Sequence, residues 1–326
     1  MKRMATWMVE FAAASFVFGV SAAADQWQAS KNVEVIVQAG PGGASDQFAR
    51  LIQRILTERK LVDASVNVVG KPGGGGALAY NYLNSHAGDG HYLLVATATM
   101  LTAHMTGASP YNYTDFSPIS VLSTEYTATA VRSDSQIKDG RDLLSRLVKD
   151  PQDVAIGLSA ARGNANHIAI ALAAKAAGGD AKRLKIVVFK ASQEAVTAVL
   201  GGHINVLASP VSGVLQHVES GKIRALAVNS AQRLKGPFAS VPTWKEQGAD
   251  AVSGNWRGVL GPKGLTDAQA AYWEGVFARM AATPEWKQYL EKNALEDYYL
   301  DRRKTGSFLE TEYGNVSTIL KEIGLN

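Results

Sequence analysis

The 326-residue sequence predicts an α/β protein of two lobes. Two observations carry this. Runs of β-branched residues alternate with helix-spaced apolar segments, which is how sheets with crossover helices read. The alternation then restarts near residue 126, so one sheet-and-helix unit follows another.

The first unit opens on a strand at Val33–Val37. A helix over 46–60 follows, with Phe48, Leu51, Ile52, Ile55 and Leu56 at helical spacing. A second strand covers 66–69, and KPGGGGALAYNYLNS turns from it into a helix. The third strand is 92–96. Residues 119–122 and 127–131 read as two strands broken at Glu125-Tyr126.

In the second unit, 154–158 is a strand, SAARGN a loop, and 165–177 a helix stopped by Gly178-Gly179. Strands at 184–189, 204–208 and Ile223–Val228 follow. Ser192 reads as a helix cap. Ser209-Pro210 reads as a helix start with proline in the first helical position, where it is tolerated. The C-terminal part, from Thr266 on, reads as helical. Thr266 with Gln269 and Ser307 with Glu310 fit capping boxes, and Thr283-Pro284 fits an N-cap.

Composition narrows the function. Hydrophobic residues make up 46% and charged ones 19%, which is globular and not disordered. The net charge of +4 is scattered, so no nucleic-acid track is expected. There is no cysteine, which excludes disulfides, a thiolate nucleophile and Cys-based metal sites. The N-terminus has Lys2 and Arg3, an apolar stretch over 11–20, and Ala22-Ala23-Ala24. That order reads as an export signal over 1–24, removed near Ala24. The alternative, a membrane anchor, needs about 20 apolar residues.

Ligands of open α/β sheets bind beyond the C-terminal ends of the strands. Those ends here carry short polar or Gly-rich junctions at residues 40–46, 72–77, 97–99, 159–164, 191–192 and 209–210. Each presents backbone N–H groups at a helix start. Singly, each is an ordinary cap. Together, and in both units, they suit an anion.

Catalytic motifs are absent. The six histidines form no i, i+4 pair, and no G-x-S-x-G elbow occurs. Gly74-x-Gly76-x-x-Ala79 matches a dinucleotide fingerprint, but no acidic residue follows at the end of the next strand. An oxidoreductase using that turn is the alternative reading. His167 either lines the cleft or packs beside it. Arg162 and Lys190, at strand ends, either meet a carboxylate or are solvated. Trp256 either lines the cleft or belongs to the core.

Several stretches occur together and in order: VIVQAGPGGASDQFARLI, VVGKPGGGGALA, GDGHYLLVAT, SPYNYTDFSPISVL, GKIRALAVNSAQRL with VPTWKEQG, and NWRGVLGPKGL with PEWKQYLEKN and EDYYL. From about residue 32 to the end they resemble the substrate-binding receptors of tripartite tricarboxylate transporters, the Bug family. The segment around Trp286 resembles the tricarboxylate-receptor branch.

The resemblance implies a periplasmic binding protein of type II. Each lobe is a sheet flanked by helices, with two crossover strands at the hinge. It implies a receptor and not an enzyme, with no cofactor and no metal. A small di- or tricarboxylate or an aromatic acid is captured and passed to the membrane subunits of a transporter. A solute sensor would have the same cleft. We expect residues 25–125 with 256–326 as lobe 1, 126–255 as lobe 2, and a monomer. Carried onto this chain, one ligand-binding turn is Pro41, Gly42, Gly43, Ala44, Ser45 and Asp46. The other runs from Ser159 to Asn164. Thr97, Tyr126, His167, Lys190 and Ser209 complete the candidate set. Gly70, Ala79 and Gln38-Ala39 depart from the family pattern, which bears on the ligand's identity and not on the fold.

Overall fold

A computed structural model describes residues 27–41, 44–159, 162–189 and 191–325. The predicted export signal lies outside these residues, as do Gly42, Gly43 and Lys190 of the candidate site.

The chain begins with β1 (Val33–Val37), α1 (Ala44–Glu58), β2 (Val66–Gly70), α2 (Ala77–Asn84), β3 (Tyr92–Thr97), α3 (Thr99–Met105) and β4 (Phe116–Arg132). Then come α4 (Gly140–Lys149), β5 (Ala155–Ser159), α5 (Ala165–Ala176), β6 (Lys185–Phe189), α6 (Ser192–Leu200), β7 (Val206–Pro210), α7 (Val211–Glu219) and β8 (Ile223–Val228). The last elements are β9 (Gly254–Pro262), α8 (Asp267–Ala281), α9 (Pro284–Lys292), β10 (Glu296–Leu300) and α10 (Arg302–Glu322).

The α/β class is the predicted one, with a mixed sheet flanked by helices. Its strand order is β2-β1-β3-β9-β4-β7-β5-β6, with β8 and β10 also on β4. In the first half β1 is parallel to β2 and β3. In the second, β5 is parallel to β6 and β7. Strand β4 belongs to both. Residues 116–126 pair with β9, and residues 127–132 pair with β7 and β8.

This corrects the break read at Glu125-Tyr126, because β4 is one continuous strand of 17 residues. Both side chains have partners from distant segments, described below, so polarity here marks an interior junction and not a turn. Strand β10 interrupts the C-terminal part read as helical. The Ser307/Glu310 capping box is also overturned. Helix α10 begins earlier, capped by Asp301, whose side chain accepts from the Lys304 N–H. Ser192 starts α6 without capping it, and Pro210 ends β7 and is the N-cap position of α7. The capping box at Thr266 and the N-cap at Thr283 form as read.

Each half carries a core on both sheet faces. On one face of the first half, Val35, Val37, Val95 and Val259 pack under Phe48, Ile52, Trp273 and Trp286. The Phe48 and Trp286 rings meet edge-on at 5.5 Å, a geometry adding about 1 kcal/mol beyond burial. On the other face Ile36, Leu94, Trp256 and Leu260 meet α2, α3 and Leu309 of α10. Helix α10 also reaches the second half, where Val316, Leu320 and Ile323 join Ile156, Leu158 and Ile170.

The glycine run has a packing role. Gly76 sits at φ 99°, and a Cβ there would lie 2.6 Å from Gln38 Oε1 and from the Tyr80 ring. The Tyr80 hydroxyl donates to that same Gln38 oxygen. The glycine therefore admits a part-buried contact between α2 and the residue after β1. Among the described residues no helix is long and apolar enough to cross a membrane.

Candidate functional site

Most of the described candidate residues stand at or just beyond the C-terminal ends of β1, β3, β5 and β7. Helix α1 begins at Ala44, directly after the first turn. Asp46 is buried in its opening turn and accepts from Arg50 Nε at 2.9 Å. A carboxylate there complements the positive end of the helix. Ser45 is half-buried and Pro41 exposed. Thr97 is buried at the end of β3, where its hydroxyl accepts from Gln38 Nε2 at 3.1 Å. That bond ties the exits of β1 and β3 together.

In the second half, Asn164 is the N-cap of α5. Its Oδ1 accepts from the His167 N–H at 3.0 Å, and its Nδ2 donates to the Ser159 carbonyl at 2.6 Å. The loop from β5 is thus closed by one side chain. The Ser159 and Ser192 hydroxyls lie 3.0 Å apart, joining the exits of β5 and β6. His167 is buried, and its Nδ1 accepts from the Gly163 N–H at 2.9 Å. Burial first, then the neighbouring Arg162 charge, lowers its pKa to about 4. The ring is neutral at physiological pH, with its proton on Nε2. It braces the second turn from below.

The other candidates lie apart from these turns. Ser209 is buried at the end of β7, its Oγ without a partner and pressed against the position of Gly213. Tyr126 donates its hydroxyl to Glu296 Oε2 at 2.5 Å, and burial and that bond both raise its pKa. Its phenol ties β4 to β10. Arg162 is exposed and donates to the Ile186 carbonyl at 3.2 Å. Trp256 is buried in the core against Phe308, at 5.9 Å between ring centres.

One constellation escaped the sequence reading. Arg257 of β9 and Glu125 of β4 form an ion pair at 2.5 Å, with side chains 7% and 2% exposed. The second Glu125 oxygen accepts from the Ser212 hydroxyl, in the opening turn of α7. The guanidinium carbon lies 6.0 Å from the centre of the Phe48 ring in α1. Arg257 faces Thr97 of β3 and Ser123 of β4 in register. Beside it, β4 has a bulge between Val121 and Ser123, and Gly258 lets β4 approach, since a Cβ there would lie 2.5 Å from the Ser120 carbonyl. Such bulges re-aim side chains. The available signal was a charged residue inside an otherwise apolar strand, GNWRGVLGP.

A cavity of about 530 Å³ lies on the opposite, Trp256 face of β9, between α5 and α10. Ile168, Leu172, Val316, Phe308 and Trp256 supply its apolar wall. Among the candidate residues only Tyr126 lines it. Ala98, next to Thr97, and Ala165, the first residue of α5, also line it, so the cavity reaches the edge of the candidate junctions.

Comparison with known proteins bears on family and fold. A family described as "Tripartite tricarboxylate transporter family receptor" matches residues 48–325. A UPF0065 protein of Cupriavidus necator, from the gbd 5′ region, is 26% identical over 321 residues, covering 96% of this chain and 95% of the relative. A TctC solute-binding protein from Polaromonas superposes with a TM-score of 0.77 at 24% identity, over 90% of this chain and 99% of that one. The Rpa4515 protein of R. palustris, solved with adipate, gives a TM-score of 0.75 at 21% identity, over 90% and 98% of the two chains. The chain therefore belongs to the tripartite tricarboxylate transporter receptor family, whose members are substrate-binding receptors and not enzymes.

Proposed function

We propose that the protein is an exported receptor that captures a small carboxylate and delivers it to the membrane subunits of a tripartite tricarboxylate transporter. The observation that carries the reading is the matched pair of junctions. One helix, α1, starts where β1 ends, and another, α5, starts where β5 ends, in the two halves of one sheet. Helix starts offer N–H donors and a positive dipole end to an anion. Adipate in the R. palustris neighbour supports the carboxylate class.

In this reading residues 25–125 and 256–326 form one lobe and 126–255 the other, with β4 and β9 crossing between them. Helix α10 belongs to the first lobe at Leu309 and lies against the second from Val316 onward. The ligand sits between the turn before α1 and the turn before α5. Thr97 stands at the end of β3 in one half, and Ser159 and Ser209 at the ends of the neighbouring strands β5 and β7 in the other. The mature receptor is a periplasmic monomer, cleaved near Ala24. Isothermal titration of the purified mature protein against di-, tri- and aromatic carboxylates tests the function. Binding of at least one is expected, and silence across the panel overturns the reading.

A further inference from the structure

The cavity between α5 and α10 has a charge balance opposite to that of a carboxylate site. Its lining holds one cation, Lys175, against three acids, Asp250, Glu312 and Glu322. Lys175 already pairs with Glu322 at 2.5 Å, and that pair stands at the C-terminal ends of both helices. Towards the other end of α10 three rings meet edge-on. Phe308 lies 5.9 Å from Trp256 and 5.8 Å from Tyr298 between ring centres, and all three line the cavity. Tyr298 and Val252 are exposed at its rim, so the space is open to solvent on that side.

Glu312 is the residue out of keeping with its neighbours. Helix α10 faces the cavity with Phe308, Glu312, Val316, Ile319 and Glu322, at the three- and four-residue spacing of one helical face. Glu312 thus stands one turn after Phe308 and one turn before Val316. A carboxylate among apolar groups loses hydration, which is costly unless a partner answers the charge. Burial alone pushes the Glu312 carboxyl above the usual range, with no neighbouring cation or donor among the described residues to bring it down. Lys175, the one cation of the lining, is engaged elsewhere. A carboxylate without a partner beside aromatic rings is the setting that receives an organic cation, since rings attract the charge and the carboxylate neutralises it.

We infer that this cavity is a second binding site, for an organic ammonium ion with an aromatic or branched apolar body. The charged head sits by Glu312 and the rings of Trp256 and Phe308. The body lies along Ile168 and Leu172 of α5 and Val316 of α10. The volume of about 530 Å³ is within the range of small-molecule sites. The inference stands apart from the carboxylate-receptor reading, because the acids here repel the anions that helix starts attract.

The test uses two probes with one body and different heads, phenethylamine, a cation at neutral pH, and the uncharged phenethyl alcohol. Calorimetric titration of the purified mature protein is expected to show the amine binding at least about 10-fold more tightly than the alcohol, the scale of one charge-assisted contact. Glu312→Gln is expected to weaken the amine by about 10-fold and to leave the melting temperature without a fall, since it removes a desolvated acid. Asn315→Lys sets a cation three residues along the same face, at an exposed position, and is expected to weaken the amine in the same direction. It decides the matter should Glu312→Gln not melt cooperatively. An amine that binds no more tightly than the alcohol, or not at all, overturns the inference. So does amine binding that a folded Glu312→Gln leaves unchanged, because the amine then sits elsewhere. Loss of amine and alcohol binding in equal measure also overturns it, since Glu312 would then shape the cavity without meeting the charge.

Discussion

His167 shows what a single side chain does at the second turn. Its ring accepts from the Gly163 N–H, and its own N–H is capped by Asn164. With the folded pKa lowered to about 4 from 6.5, the unfolded chain binds the extra proton first as pH falls. The contribution is thus fully present above about pH 6.5 and is lost as pH drops through about 4. Its size is bounded at about 3 kcal/mol. Melting temperature measured from pH 7 to pH 4 should fall in the wild type, and His167→Gln should flatten that segment. A variant curve parallel to the wild type would show that other groups drive the acid loss. At this scale the sequence was readable where partners are close, as with Thr266 and Gln269 or Thr283 and Trp286. Arg257 was not, since its partner lies 132 positions away.

Among the elements, α10 does most to bind distant parts of the chain. Its first turns pack Leu309 into the first half, and its last turns bury Leu320 completely in the second. The Lys175–Glu322 pair at its end is partly exposed and adds at most about 1 kcal/mol. Packing therefore dominates. Leu320→Ala should cost about 2–5 kcal/mol by chemical denaturation, whereas Glu322→Gln should cost under about 1. Similar costs for the two would mean that the charge and not the apolar face holds the helix. Long amphipathic helices such as α1 were legible from spacing alone. The junction in β4 was not, because Glu125 and Tyr126 look like a polar break until Arg257, Ser212 and Glu296 arrive from elsewhere. Strand β10, EDYYL, is largely exposed at its start and lacks the apolar alternation that announces a strand.

The whole molecule is a sheet of two halves sharing one strand, and binding between the halves should stabilise both. A ligand at about 100 times its Kd adds roughly 2.7 kcal/mol to the folded state. For a chain of this size that is a rise in melting temperature of about 5 °C, readable by calorimetry with adipate as the probe. A rise in the chemical stability of one half alone would argue against a shared site. The α/β class and the restart near residue 126 were visible in the sequence, because alternation is a local property. Which strands meet is not local, and β4 shows a further consequence. Its first part pairs with β9 and β10, both of which come after the whole second half in the chain. The segment from β5 to β8 is contiguous and closes on strands already at hand. The first half must wait for the C-terminal third before its sheet is complete. Chain order thus separates the two halves in time, and the earlier residues are the later to finish folding. Until then β3 and the start of β4 carry unpaired edges, the state in which a chain is most open to chaperones and to aggregation.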